Sequence, residues 1–158
     1  TDLRKSDVIG MGSYNSDSHN VQRFVNSQGF VENEGDVQVP VKPYQIPYRV
    51  LTPKRAEAEN LFVPVCFSAS HVAYSSMRME PQYMILGHAA GVAAALAIEA
   101  GAAVQNINIA ELQRRLKAGG AVFEYGQEFQ NEGLAAIRKL YAPPPRKGPV
   151  AWSLPEKP

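Results

Sequence analysis

The chain has 158 residues, of which 45% are hydrophobic and 20% are charged, and its formal net charge at pH 7 is +1. This composition is typical of a water-soluble globular protein, and the length predicts one domain of ordinary size. The balanced charge argues against long-range attraction to nucleic acid or to an anionic membrane. The lone cysteine, Cys66, excludes an internal disulfide, and with only three histidines in the chain no zinc pattern is present. We therefore predict no bound metal.

The first part of the chain, residues 1–58, has the pattern of strands and turns. We predict a strand over residues 8–14, a polar loop at 16–20, and a hairpin that pairs 21–25 with 30–32. Residues 37–41 alternate and should be extended. Prolines at positions 43, 47 and 53 are expected to keep residues 44–52 extended and irregular.

The second part, residues 59–142, begins with an apolar run at 61–67. This run predicts a strand covered on both faces, as in a parallel sheet, followed by a polar loop. Pro81 suits the first turn of a helix that begins at Glu80 and runs to about Glu99, with Gly101 as its stop. Asn108 is predicted to cap a second helix at 109–117, and a third, short helix is predicted at 133–141.

The fold class predicted from this order is α/β, or α+β if the chain is considered as an isolated piece. A crossover-type strand at 61–67 needs a parallel neighbour, and no other βαβ unit is predicted here. We therefore expect the chain to be part of a larger protein. Residues 143–158 contain six of the twelve prolines and are predicted to be a linker or tail.

The apolar run at 84–98 is short for a membrane span and is rich in alanine and glycine, so we predict no membrane partner. Gly87 and Gly91 are expected to let this helix approach a sheet or a ligand closely. The cellular compartment stays open, including a secreted or periplasmic location with its signal outside these residues.

Three runs carry a resemblance to a known family: SDVIGMGSYNSDSHNVQR, EGDVQVPVKPYQIPYR and ENLFVPVCFSASHVAYSSMRMEPQYMILGHAAG. The chain resembles, over about residues 5–125, the C-terminal part of FAD-dependent oxidoreductases with the glutathione-reductase-like, two-dinucleotide-fold topology. It is most similar to the bacterial group often labelled xanthan lyases. The resemblance implies the C-terminal part of an FAD/NAD(P)-binding Rossmann-like domain, joined to strands of a substrate domain.

FAD is the cofactor that the resemblance implies, with the helix start at Glu80 pointing at the pyrimidine edge of the flavin. Cys66 stands where the wider superfamily usually has an acid. No GxGxxG loop, which would grip the pyrophosphate, occurs in the sequence. The implied partner is therefore an N-terminal FAD-binding half, in the same longer chain or in a second one. The implied cofactor-binding residues are Cys66, Ser70, Met79, Glu80, Pro81, Gln82 and Gly87.

His71 and Tyr74, in the predicted loop, are candidates to take a proton or to orient a substrate, and Arg78 could pair with a substrate oxygen. The alternatives are a buried hydrogen-bonded histidine and an ion pair between Arg78 and Glu80. The candidate substrate residues are Tyr14, Asp17 and His19, since an Asp–His pair can act as a base and its orienter. An Asx-type turn with a surface histidine is the alternative.

The function predicted is the C-terminal portion of an FAD-dependent oxidoreductase that takes a hydride from a small-molecule or carbohydrate substrate. One alternative is a non-catalytic accessory or interaction module that has lost FAD. A polysaccharide lyase that uses His71, Tyr74 and Arg78 is a further alternative.

Overall fold

The computed structural model describes residues 4–126, and residues up to Glu124 form one compact unit. The helix predicted at 133–141 and the tail at 143–158 lie outside the described residues. Four strands, three α-helices and two short 3-10 helices follow one another: β1 Val8–Gly12, β2 Ser16–Val25, β3 Val31–Val39, β4 Tyr44–Pro47, 3-10 Tyr48–Leu51, α1 His71–Met77, α2 Glu80–Ala100, 3-10 Val104–Asn106 and α3 Ile109–Ala118.

The core lies between α2 and a small sheet in which β1 and β4 pair antiparallel. The helix crosses β1 very closely at Gly10, where a Cβ would collide with the Cγ2 methyl of Ile85. Only glycine therefore fits at this position of β1. The other side of α2 packs on α3 and on both 3-10 helices. The largest apolar side chains with almost no exposure are Ile9, Ile46, Leu51, Leu86, Leu112 and Leu116.

The ends of α2 and α3 confirm the predicted helix signals. Pro81 lies in the first turn of α2, and Gly101 ends that helix in the left-handed conformation with φ of 56°. The Asn108 side chain accepts the N–H of Glu111 at 3.0 Å, which caps α3 as predicted. These signals are local, and so the sequence reveals them directly.

The predicted hairpin is present but longer, and the prediction of a polar loop at 16–20 is wrong. β2 begins at Ser16 and pairs antiparallel with β3 along its whole length. The chain reverses at Asn26, whose Oδ1 accepts the N–H groups of Gln28 and Phe30. The polar residues 16–20 form part of β2 because cross-strand bonds with β3 and contacts with α1 stabilise them in place of apolar packing.

The strand predicted at 61–67 is absent, so this prediction is wrong. Leu61 and Val65 are 45% and 50% exposed rather than covered on both faces. Pro64 removes a backbone donor, and no neighbouring strand among residues 4–126 pairs with the segment. Isolated bonds instead hold it to the 3-10 helix at Tyr48–Leu51, from the N–H of Val63 to the carbonyl of Leu51 at 2.9 Å and from that of Ser68 to Val50 at 2.8 Å.

The described part of the chain is thus a mixture of helices with two small antiparallel sheets. This agrees with the α+β expectation for an isolated piece. Both two-stranded sheets are antiparallel, so the parallel, Rossmann-like arrangement is not formed within residues 4–126. Residues on both sides of position 58 share the same core. The functional division into 1–58, 59–142 and 143–158 stays a prediction.

The outward face of α2 is also largely apolar, with His88 as its exposed polar residue. Met84 is 73% exposed and Ile98 is 80% exposed. Gly87 and Gly91 also face open space, so the close approach predicted for them does not occur among the described residues. By length and composition alone α2 could cross a membrane, and core helices of soluble proteins share these two properties. The absence of a membrane partner stays a prediction.

Tyr48 joins the two 3-10 helices, and its removal is expected to change the stability of the chain at alkaline pH. Its buried hydroxyl donates to the carbonyl of Val104 at 2.6 Å, and burial raises the pKa of Tyr48 above its ordinary value. The hydrogen bond of Tyr48 therefore contributes its full stabilisation below pH about 10. The stabilisation is lost at higher pH, because the Tyr48 hydroxyl ionises at a lower pH in the unfolded chain than in the folded one.

We expect Tyr48→Phe to lower the free energy of unfolding by about 1 kcal/mol at pH 7. Between pH 9 and pH 11 the variant should lose less stability than the unaltered chain. Urea unfolding at a series of pH values measures both effects. An equal alkaline loss in the two proteins would contradict the role given to Tyr48.

Candidate functional site

His71 and Tyr74 lie in α1, not in the loop that the sequence predicts. Ser70 precedes the helix, and its Oγ accepts the N–H of Ala73 at 3.2 Å. Ser70 thereby satisfies one of the free donors at the helix start. The prediction of a loop is wrong because a short helix with one cap has too few residues to give a clear periodic pattern.

β2 packs on α1 through its even-numbered residues. Ser16 Oγ lies 2.8 Å from Ser75 Oγ, and Ser18 Oγ lies 2.9 Å from His71 Nε2. Since successive side chains of a strand point to opposite faces, Asp17 and His19 face away from α1. The ribbon therefore separates His71 from the Asp17–His19 pair, and the structure does not bring these candidates into one cluster.

The opposite face of the ribbon carries a polar cluster around His19. Its Nε2 lies 3.1 Å from Asp17 Oδ1, and its Nδ1 lies 2.7 Å from Asp36 Oδ1. Tyr14 donates to Asp17 Oδ2 over a long 3.4 Å. Asp17 Oδ1 is buried and, although close to His19, is not aligned for a hydrogen bond. Tyr14, Asp17 and His19 line a cavity of about 360 Å³, so the three predicted substrate residues do lie together.

Asp36 joins this cluster and was missed from the sequence. The register of the hairpin shifts between His19 and Gln22. Without that bulge, continuation of the register from the turn would place Val37 opposite His19. Only the bulge makes Asp36 the cross-strand neighbour, and Asn20 with φ of 57° marks it in the structure. An asparagine within a strand pattern is the weak signal that the sequence offers.

Arg78 holds the end of α1 to β2. Its Nη2 donates to the backbone carbonyl of Asp17 at 2.9 Å. The alternative ion pair with Glu80 is not among the ion pairs formed by residues 4–126. His71 and Arg78 thus each bond a residue of β2, which makes them structural links whatever else they do.

Tyr74 belongs to a separate aromatic cluster. Its ring stacks on Phe67 with centroids 4.8 Å apart, and its hydroxyl donates to the carbonyl of Val65 at 3.3 Å. Tyr83, in the second turn of α2, lies 3.1 Å away, hydroxyl to hydroxyl, and this hydrogen bond raises the pKa of Tyr83 to about 12. Tyr83 was missed from the sequence, where only its closeness to the start of α2 could have indicated a role.

The start of α2 has no side-chain cap. Met79 occupies the N-cap position without a capping hydrogen bond, while Glu80 and Pro81 are exposed. Gln82 Oε1 is buried and finds no hydrogen-bond partner among the described residues. The first turn therefore presents free backbone donors and an unused acceptor.

Cys66 is exposed in the loop before α1, not covered within the strand predicted at 61–67. It is accessible from solvent, as is Gly87 further along α2. Among the described residues, no group of three or more His, Cys, Asp and Glu side chains could hold a metal ion.

Comparison with protein families adds the deciding observation. Residues 2–116 match the model of the family described as FAD dependent oxidoreductase. The chain belongs to this family. No curated protein matches the chain. No solved structure matches it either.

FAD is the cofactor of the FAD dependent oxidoreductase family. The first turn of α2 fits part of this group chemically. The pyrimidine edge of a flavin carries carbonyl oxygens, which accept hydrogen bonds, and one N–H, which donates. The free N–H groups of the turn and the unpartnered Gln82 Oε1 provide the complementary set.

Proposed function

We propose that this chain is the C-terminal portion of a flavoprotein oxidoreductase, where it helps to hold the flavin ring and to orient a substrate for hydride transfer. The observation that carries the proposal is the family match over residues 2–116, which includes every described strand and most of α3. When bound, FAD supplies the hydride acceptor, and the residues of this chain supply orientation and electrostatics.

The first turn of α2 is the part that would hold the flavin. Its N–H groups would stabilise negative charge at the pyrimidine edge, and Gln82 Oε1 would accept the flavin N–H. Ser70, Met79, Glu80 and Pro81 precede or begin this turn, and we propose that they lie beside the ring with Cys66 and Gly87. In this role Cys66 would contribute backbone or water-mediated contacts, not the carboxylate contact of the wider superfamily.

The cluster around His19 is proposed as the substrate side. Asp36 Oδ1 lies 2.7 Å from His19 Nδ1 and would orient the imidazole, while Nε2, which makes no hydrogen bond to Asp17 Oδ1 at 3.1 Å, would be the nitrogen that takes a proton. Tyr14 and the buried Asp17 Oδ1 add groups that suit a hydroxyl-rich molecule such as a carbohydrate. The glutathione-reductase-like topology and the similarity to the group labelled xanthan lyases are part of this proposal.

His71, Tyr74 and Arg78 remain candidates for the catalytic role in the complete enzyme. Their bonds to Ser18, Tyr83 and the Asp17 carbonyl favour positioning over direct chemistry. The same bonds give no support to a polysaccharide lyase, which would need these side chains to reach a uronic acid.

The N-terminal FAD-binding half is proposed to cover the outer face of α2, which we define as Met84, Gly87, Gly91, Ala95 and Ile98. This face also carries the exposed His88 but is otherwise apolar, and the apolar face of a helix is normally buried against another element. Small residues at three of these positions would let another layer come close. The missing half would carry the GxGxxG loop that this sequence lacks.

An ultraviolet–visible spectrum and an intact mass of the protein purified from its natural source test the proposal. We expect flavin absorbance together with a mass, or a co-purifying chain, that exceeds the 17.3 kDa of these residues. A lone 17.3 kDa chain that unfolds cooperatively and carries no flavin would overturn the proposal. That result would favour an accessory module that has lost FAD.

A further inference from the structure

A cavity of about 660 Å³ lies between α1 and the segment that joins β3 to β4. Its volume is within the range of small-molecule sites. Val41, Val72 and Met77 form the apolar walls of the cavity. Val72 is 55% exposed. The cavity takes in no residue of α2, and it shares only Ser70 with the residues that we propose lie beside the flavin.

The floor of the cavity is polar but already satisfied. Ser76 donates its only hydroxyl proton to the carbonyl of Tyr14, so it must accept the hydrogen bond from Tyr44 at 2.7 Å. Burial raises the pKa of Tyr44, which keeps this hydroxyl neutral. An apolar group can therefore lie on the floor without depriving a polar atom of its partner.

The mouth of the cavity carries a positive charge. Lys5 and Lys42 both line the cavity; Lys42 is exposed, and none of the described carboxylates forms an ion pair with it. No Asp or Glu lines the cavity. A carboxylate at the mouth would thus meet an available ammonium group and no like charge.

We propose that this cavity binds a small amphipathic carboxylate, with its carboxylate on Lys42 and its apolar body against Val41, Val72 and Met77. The ammonium group of Lys42 selects a carboxylate end, and the apolar walls select a hydrocarbon end of the same molecule. A neutral apolar compound would leave Lys42 unused, and a compact anion would leave the apolar walls wet.

Calorimetric titration of the full chain with sodium octanoate tests the proposal, with octanamide as the uncharged comparison. We expect one saturable octanoate site per chain and roughly tenfold weaker binding of octanamide, the loss of one charge-assisted hydrogen bond. Lys42→Gln should weaken octanoate binding roughly tenfold for the same reason, while leaving octanamide unchanged. Lys54→Gln, which changes an exposed lysine elsewhere, is the matched control and should bind like the unaltered chain.

Val72→Gln and Ala73→Leu test the apolar walls separately, the first by adding polarity and the second by filling space. Both positions are exposed on α1, so the helix should tolerate them, and urea unfolding checks that it does. Each should weaken octanoate and octanamide alike. The proposal would be overturned if octanoate did not saturate at one site, or if Lys42→Gln, Val72→Gln and Ala73→Leu all bound it as tightly as the unaltered chain does.

Discussion

Leu86→Ala is expected to lower the free energy of unfolding by about 3 kcal/mol, a large share of the total for a domain of this size. Leu86 is 0% exposed and lies on the face of α2 that packs into the core. The truncation removes apolar contacts and leaves a cavity that β1, held close at Gly10, cannot collapse to fill. Urea unfolding of the chain measures the loss.

Met84→Ala is the matched control on the same helix. Met84 is 73% exposed, so its truncation should change the stability by less than about 0.5 kcal/mol. If both variants lost the same stability, the assignment of the inner and outer faces of α2 would be wrong.

The double variant Gly91→Glu, Ala95→Lys is expected to reduce the flavin retained by the complete protein more than tenfold. Both residues lie on the outer face of α2, which we propose is covered by the FAD-binding half. The new side chains would place bulk and charge in that interface. Gly91 is about 16 Å along the helix from Glu80, so a direct effect on the flavin ring is not expected.

The same change should not harm the isolated chain. Nothing lies within 4 Å of a Cβ built at Gly91, and replacing a helical glycine stabilises by about 0.5–1 kcal/mol. The new pair is spaced for an i,i+4 ion pair, which adds a few tenths of a kcal/mol. A chain that gains stability while the complete protein loses flavin would point specifically to the covered face.

Flavin absorbance per mole of the complete protein, expressed from its own gene, is the measurement. Ala110→Glu, on the exposed side of α3, adds a comparable charge elsewhere and should retain flavin fully. If the double variant kept its flavin, the outer face of α2 would not be the contact with the FAD-binding half. A loss of stability in the isolated chain would instead mean that this face is part of the core.

The candidate site was only partly predictable. Tyr14, Asp17 and His19 were recognised as polar residues close in sequence, and they do lie together. Asp36 could not be placed there because a bulge, not the turn, fixes its position opposite His19. The sequence does not say where His71 lies relative to these residues, and the alternation of β2 puts it on the other side of the ribbon.

Local signals account for what the sequence determined by itself. The proline start and glycine stop of α2, the Asn108 cap of α3 and the turn at Asn26 involve residues within a few positions of one another, and the structure has them where the sequence predicts. The sequence also determines the family, because the match over residues 2–116 does not depend on the structure.

Tertiary structure decided the elements that need a distant partner. The apolar run at 61–67 has strand-like residues, but a strand forms only where another can pair with it, and here its backbone meets the 3-10 helix at Tyr48–Leu51 instead. The polar residues at 16–20 form a strand because β3 and α1 satisfy them. Pairing partners far apart in the chain, unlike caps, cannot be read from neighbouring residues, because the free energy of the pairing depends on where the rest of the fold brings them.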